Sequence, residues 1–409
     1  MRYGGVGRRL ALLVCLAVIV FMALVPAKFG KCEDNTLDLS ISVREKYSDN
    51  IFLSRLEKTE DFSTTMIPSL QWKRDSERMN TLLSATLESI FYNQNDVLNQ
   101  TDQFYNGSLQ YLMTDRLTTS FDAAFTRDSR WDRDLETTGL VLTNVVRKRQ
   151  SYQFNEKYLL SEKNIVYLDY SFSQDVFEKG TYDDFRSQQL GFQFSRALTP
   201  DTNMQIQLGY AHYDYPLVDV DNYSLTLGAG SRLSETVTGS VNIGGRYTKS
   251  AFTLFRMVFD PELFQIRQES FVMENDDTGI VGEIEVACSG EFTNYRLSFQ
   301  HDIQAGSGRS GTSQKTGVIL EMGHRFTENL SGSLNSGFYL NRANESESST
   351  GKIDERSLWA ETQFRYRIGD HFILNAAYRY TRVNDNLNGT TTYANTVWIS
   401  LAMDFDINS

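Results

Sequence analysis

Apolar and polar residues alternate with a period of two along almost the whole chain. The last stretch shows the pattern plainly. Val397, Ile399, Leu401, Met403, Phe405 and Ile407 share one parity, against Trp398, Ser400, Ala402, Asp404 and Asp406 on the other. Just before it, Phe372, Leu374, Ala376, Tyr378 and Tyr380 oppose Ile373, Asn375, Ala377, Arg379 and Thr381. Successive side chains of a strand point to opposite faces, so this is the signature of strands with one apolar and one polar face. Comparable runs fall at 36–46, 64–73, 79–92, 103–113, 116–127, 145–158, 163–175, 184–196 and 202–213. They continue at 221–233, 236–249, 279–289, 292–303, 314–326, 329–341, 356–368, 370–382 and 395–407, about 18 strands in all, with 16 to 20 as the range. Most are long enough for a tilted strand to cross a bilayer, which takes roughly 9–11 residues.

The connections alternate in length. Short ones lie at Met113–Arg116, Leu160–Asn164, Ala197–Thr202, Leu233–Thr236, Thr327–Asn329 and Gly369-Asp370. Between them are longer segments, at 47–63, 93–102, 128–144, 250–278, 304–313, 342–355 and 383–394. Short turns on one rim and long loops on the other predict an all-β fold, a transmembrane antiparallel outer-membrane β-barrel. The even strand count places both chain ends on the periplasmic side. Lipid offers no hydrogen-bond partner, so the sheet must close on itself. A soluble β-sandwich would bury its apolar face instead and rarely needs so many strands.

The N-terminus changes the picture by adding a destination. Arg2, Arg8 and Arg9 precede an apolar run from Leu10 to Val25, the layout of a secretory signal peptide over residues 1–32, with cleavage near Ala27 or Cys32. The mature chain, 33–409, then reads as a single barrel domain, because Pro is scarce, five in the whole sequence, and no low-complexity break interrupts it. The leader holds five of the 40 basic residues and none of the 52 acidic ones, which leaves 35 against 52, a balance of −17. Such an acidic chain is a poor partner for nucleic acid. Cys288 is the one Cys well inside the mature chain, so no disulfide framework is available. The 26 Phe and 21 Tyr suit aromatic girdles at two membrane interfaces.

One local stretch, Tyr47-Ser48-Asp49-Asn50-Ile51-Phe52-Leu53 after a first strand, resembles the putative β-barrel porin type 2 family and the outer-membrane barrel family associated with exosortase and exopolysaccharide gene clusters. The resemblance implies an outer-membrane channel, often linked to polysaccharide export. One departure is the C-terminus, where Asn408-Ser409 follow the terminal strand instead of an aromatic residue.

The candidate chemistry begins with two triplets, Ser48-Asp49-Asn50 and Lys315-Thr316-Gly317, which match two of the three serine β-lactamase signatures. The third, Ser-x-x-Lys, occurs only at Ser349–Lys352, after both others and in a polar loop where no helix is predicted. An enzyme is therefore not expected. His212, His301 and His324 fall on the lipid-facing parity and only His371 on the other, so no catalytic triad is suggested. Asp219/Asp221 and Asp276/Asp277 lack the Gly and distal Glu of a Ca²⁺ loop. No cofactor or metal is expected.

The lumen parity is richer. It carries Arg147, Arg149, Lys157, Arg232, Arg246 and Arg296, then Arg325, Arg365, Arg367 and Arg379. Glu283, Glu285, Glu321 and Glu361 share it. Opposed charges across a watery lumen screen permeants, or pair with one another and stiffen the wall. Inward aromatics Tyr167, Tyr339, Trp359 and Trp398 offer stacking faces for sugars, or fill space near a rim. Segment 250–278 is too apolar for a plain solvated loop; it either extends its flanking strands, turning at Asp260-Pro261-Glu262, or folds inward and narrows the pore.

These features lead to a passive outer-membrane channel. The preferred cargo is an exopolysaccharide, handed on by a periplasmic export partner. The alternative is a general or sugar-selective diffusion porin, and a barrel-wall enzyme or adhesion scaffold comes third. Outer-membrane lipid and the barrel-assembly machinery are the expected partners in every case.

Overall fold

The computed structural model describes residues 34–141, 145–178, 182–260, 264–306, 309–343 and 352–406; the leader lies outside the described residues. Eighteen strands follow one another in the chain. They are β1 (Asp34–Ser48), β2 (Asp61–Asp75), β3 (Met79–Tyr92), β4 (Gln100–Thr114), β5 (Leu117–Asp128), β6 (Arg147–Ser161), β7 (Asn164–Phe177), β8 (Phe185–Ala197) and β9 (Thr202–Tyr215). Then come β10 (Val218–Arg232), β11 (Val237–Asp260), β12 (Gln265–Ser289), β13 (Thr293–Gly306), β14 (Arg309–Arg325), β15 (Leu330–Ala343), β16 (Ile353–Ile368), β17 (Phe372–Asp385) and β18 (Thr390–Asp406). Each pairs antiparallel with its chain neighbours, and β1 pairs with β18 from Asp38↔Asp406 to Ser48↔Thr396, which closes the sheet into a barrel.

Register puts like with like across every seam. At the closure Val43 opposes Leu401 on the outer face, and Arg44 opposes Ser400 on the inner one. The outer face is a band of exposed apolar side chains, among them Ile41, Val43, Leu225, Ile243, Leu297, Val397 and Ile399. Water would penalise that area at roughly 25 cal/mol per Å², and hydrocarbon removes the penalty. Tyrosines mark its upper edge. Tyr210, Tyr223 and Tyr247 stand side by side on β9, β10 and β11, with ring centroids 5.2 and 6.4 Å apart. The Tyr210 hydroxyl donates to Asp221 and that of Tyr247 to Asp276, so rings face lipid while hydroxyls reach the polar rim. A closed barrel of this size and face chemistry is a bacterial outer-membrane protein.

Above this edge the wall divides. β11 and β12 stay paired to Asp260↔Gln265, whereas β10 leaves β11 at Val218↔Phe252 and β13 leaves β12 at Gly282↔His301. Within segment 250–278, residues 250–252 still pair with β10, and the described residues beyond them form a two-stranded arm standing outside the barrel wall, with Met257 and Phe264 largely exposed. It does not narrow the pore. Its turn residues 261–263 lie outside the described residues. Behind the arm, the tips of β9–β10 and β13–β14 lean together. The Tyr215 hydroxyl donates to the carbonyls of Gly306 (3.2 Å) and Gly311 (3.1 Å). Phe185, Tyr213, Val218, Val220 and Phe252 pack around it as a small apolar core inside the outer mouth. Segment 304–313, expected as a long loop, is instead mostly strand on either side of a short connection.

Candidate constriction and charged lumen

The sequence SRWDRDLETTGLV, residues 129–141, joins β5 to β6 and places Trp131, Leu135, Leu140 and Val141 in what the alternation marks as an extracellular loop. Four large apolar residues in a short segment need a surface to cover, and the barrel interior provides it. Leu135 is 0% exposed, packed with Tyr339 of β15 and Trp359 of β16, while Trp131 packs against Leu53, Val383 and Ala394. The segment, here termed L3, therefore crosses the lumen from β5–β6 to the facing wall. Of the segment 128–144 expected as a long loop on the outer rim, the described residues to 141 thus fold into the barrel.

Polar contacts fix its course. At the base, Arg133 donates to the Asp128 carboxylate (2.9 Å) and to the Val145 carbonyl (2.9 Å), so it ties the two ends of L3 together. Arg147 donates to Asp134 at 2.8 Å, and Arg149 makes a two-pronged contact with Asp175, both arms at 2.7 Å. At the tip, residues Leu135–Thr138 form one helical turn, α1, ended by Gly139 at φ 71°. That left-handed conformation suits Gly, and a Cβ there would also meet Ser357 Oγ and Tyr339 Cβ at 2.5 Å. The last carbonyls of α1 have partners on the far wall. Tyr339 donates to Glu136 O, Lys315 to Thr137 O (3.1 Å), and Asn341 to Thr138 O (3.0 Å). Arg379 of β17 pairs with the Glu136 carboxylate at 2.6 Å. Within L3, burial pushes the Asp132 carboxyl up, but the fields of Arg130, Arg379 and Lys46 outweigh burial and hold it below the ordinary range.

The residues singled out for the lumen separate into two groups. Arg147, Arg246, Tyr339 and Trp359 are buried rather than lumen-lining. The cause is the loop for Arg147, Tyr339 and Trp359, and for Arg246 the Thr248 hydroxyl and Asp277 beside it. Arg149 is largely covered in the same Asp134–Asp175 network as Arg147. Arg379 and Glu361 are also largely covered, and the others border more open space. Arg296 lies between Glu285 (3.7 Å) and Glu321 (3.2 Å), and Arg232 lies 3.7 Å from Asp201 near a periplasmic turn. Arg325 stacks on the Phe292 ring at 5.3 Å and, with Arg365, borders a cavity of about 470 Å³ at the same end; Arg367 is exposed nearby. Glu283 meets Asn242 (3.4 Å) in an amide-rich stretch of wall with Gln193 and Gln207. Tyr167 is half-buried on β7, Glu361 lies 3.7 Å from Arg379, and Arg44 stacks over the Trp398 ring at 5.1 Å.

Sequence reading missed Arg44, Lys46, Glu88, Arg130 and Asp132, which line one cavity between L3 and the wall. A signal was present. Arg44 and Lys46 share parity with Ser40 and Ser42, and Trp131 is out of place in a solvated loop. The two triplets have structural roles. Asn50 is wholly buried and its amide donates to Ser54 O and Tyr393 O, both at 3.0 Å, so it fastens the first loop to the β1–β18 seam. Lys315 holds L3. Ser349 lies outside the described residues. His212, His301 and His324 bond to Asp221, Thr316 and Thr293 respectively, on the outer face. Among the described residues no group of three or more His, Cys, Asp or Glu is placed to hold a metal ion.

No family model and no curated protein matches this chain. Solved structures similar to it include Pseudomonas aeruginosa OccK9 (OpdG), at 10% identity over 91% of this chain and 99% of that one, with a TM-score of 0.46. Another is the outer membrane protein OpdK from Pseudomonas aeruginosa, at 10% identity over 90% and 99%, TM-score 0.43. A third is Acinetobacter baumannii OccAB4, at 11% identity over 90% and 98%, TM-score 0.43.

Proposed function

We propose that this protein is a passive diffusion channel for small solutes, with L3 as its size-limiting element. The observation that carries this reading is the burial of Leu135 between Tyr339 and Trp359, on the wall opposite the strands from which L3 departs. A conduit for a polymer needs a continuous bore. Here L3 occupies the lumen and the Tyr215 contacts draw the outer mouth together. The exopolysaccharide cargo preferred from sequence fits this interior less well than its alternative, the diffusion porin. Polar walls and cross-lumen charges suit hydrated solutes entering singly. The test is swelling of proteoliposomes in sugars of increasing size. Entry of mono- and disaccharides with exclusion of longer oligosaccharides supports the reading, and equal entry of chains long enough to span a bilayer core of about 30 Å overturns it.

A further inference from the structure

We propose that the amide-rich trough on the wall formed by β7–β13 binds an uncharged, polyhydroxylated solute of monosaccharide size. The trough measures about 260 Å³, and no Lys or Arg among the described residues lines it. The polar side chains along its centre, Gln193, Gln207, Thr226 and Asn242, are all neutral. Its register runs on to the constriction. Asn242, Glu283, Gln300, Gly317 and Tyr339 oppose one another in turn across β11 to β15, and Tyr339 is the residue against which Leu135 of L3 packs. A solute held in the trough therefore stands beside L3. The proposal deepens the channel reading and rests on it only for the route by which a ligand arrives.

A chain of hydrogen bonds orients the amides. Thr226 donates to Gln207 Oε1 (3.2 Å), Gln207 to Gln193 Oε1 (3.3 Å) and Gln193 to Gln205 Oε1 (2.9 Å). Gln205 donates to Asn242 Oδ1 (2.6 Å), and Asn242 to Glu283 (3.4 Å). Gln193 and Gln207 each use one N–H and one acceptor position in this chain, of the two that an amide has of each. Both line the trough half-exposed, and Gln300 lines it exposed, so their remaining donors and acceptors are open to a ligand. A hydroxyl group both donates and accepts, which matches an amide in both senses. An anionic ligand would instead meet the carboxylates of Asp169, Glu283 and Asp302. These carboxylates flank the trough and do not converge on a cation: Asp169 is on β7, the other two are on β12 and β13, and the neutral lining of β8–β11 lies between. The floor is low because Gly191 and Gly209 oppose each other on β8 and β9, and the side chains of Asp169 and Ser224 lie over them. They lay a carboxylate and a hydroxyl along the floor as further partners. At roughly 30 Å³ per water the trough displaces about nine waters, room for one sugar ring with its hydroxyls.

The test is saturation-transfer NMR on the full-length protein, in a detergent without a sugar head group, titrated with glucose, with glucosamine and with gluconate. Saturable binding of glucose is expected, with gluconate weaker by about tenfold or more because its charge faces carboxylates. Gln207→Leu, on β9, and Gln300→Leu, on β13, should each raise the glucose Kd about fivefold or more, the order of one lost neutral hydrogen bond. Signals that never saturate with glucose, or a Kd unchanged in both variants, overturn the site. Binding of glucosamine without binding of glucose makes the trough a cation site and overturns the proposal as well. Because binding is read without flux, failure here is distinct from failure of the channel reading, which liposome swelling with the same preparation decides.

Discussion

Asp134 and Arg147 meet at 2.8 Å where L3 leaves the barrel wall, and the guanidinium is only 3% exposed. Asp128 and Asp175 lie 3.8 and 3.6 Å from the same group. A buried cation among three carboxylates repays its desolvation only while every partner stays in place. The pair therefore sets the angle at which L3 enters the lumen. Arg147→Met should destabilise this junction by about 3–5 kcal/mol, the cost of uncompensated buried carboxylates. Urea unfolding of the reconstituted barrel would register it. A variant as stable as the parent would remove the pair from the account.

Leu135 is the apolar plug of the tip. Truncation to Ala should cost roughly 2–5 kcal/mol locally, because the pocket between Tyr339 and Trp359 is walled by strands and cannot collapse. The barrel itself should survive. Single-channel recordings should show frequent brief openings to a larger level, whereas a quiet trace at the parent level would contradict the docking.

Gly139→Ala tests the same tip through the backbone. The φ of 71° and the 2.5 Å approach of a Cβ to Tyr339 both oppose the substitution. Tryptophan fluorescence should report the displacement of Trp131 and Trp359 relative to each other. An unchanged spectrum together with unchanged conductance would show that the turn tolerates a side chain.

The barrel was legible in the sequence because lipid and water sort side chains by strict parity, and parity survives without knowledge of partners. Val397, Ile399 and Leu401 declare the outer face unaided. L3 was not legible, since its docking depends on what faces it across the lumen. Nothing local tells Leu135 that Tyr339 and Trp359 wait some two hundred residues downstream. The same blindness assigned Arg147 to the pore lining, where parity is right and burial is set by Asp134 on the loop above it. Segment 250–278 was ambiguous for a related reason, because apolar residues such as Met257 and Phe264 suit a constriction and an exposed arm alike. Pairing to Asp260↔Gln265 decides it.

Asn50 predicts a separate effect at the seam. Asn50→Ala removes three hydrogen bonds, to Ser54 O, from Ser54 N and to Tyr393 O, and leaves their partners in a buried site. The expected cost is about 1–3 kcal/mol, confined to the first loop. Limited trypsinolysis at Arg55 and Lys58 should accelerate while the barrel core stays intact. Cleavage at the parental rate would count against the seam role.

Acid should act on L3 through Asp132. Its folded-state value lies below the ordinary carboxylate range, so its contribution is present above the unfolded value of about 4 and is lost as pH falls through the folded value. The loss of Asp132's contribution should therefore appear only below about pH 4, as a larger or noisier conductance. A transition centred near neutrality would place the responsible group elsewhere.

The most direct test is the conductance of a barrel without its crossing loop. Replacing residues 131–141 by a short Gly-Ser link removes every contact L3 makes with the far wall and leaves all eighteen strands in place. A several-fold increase in single-channel conductance, with entry of longer oligosaccharides, is the predicted result. An unchanged conductance would contradict the assignment of L3 as the constriction.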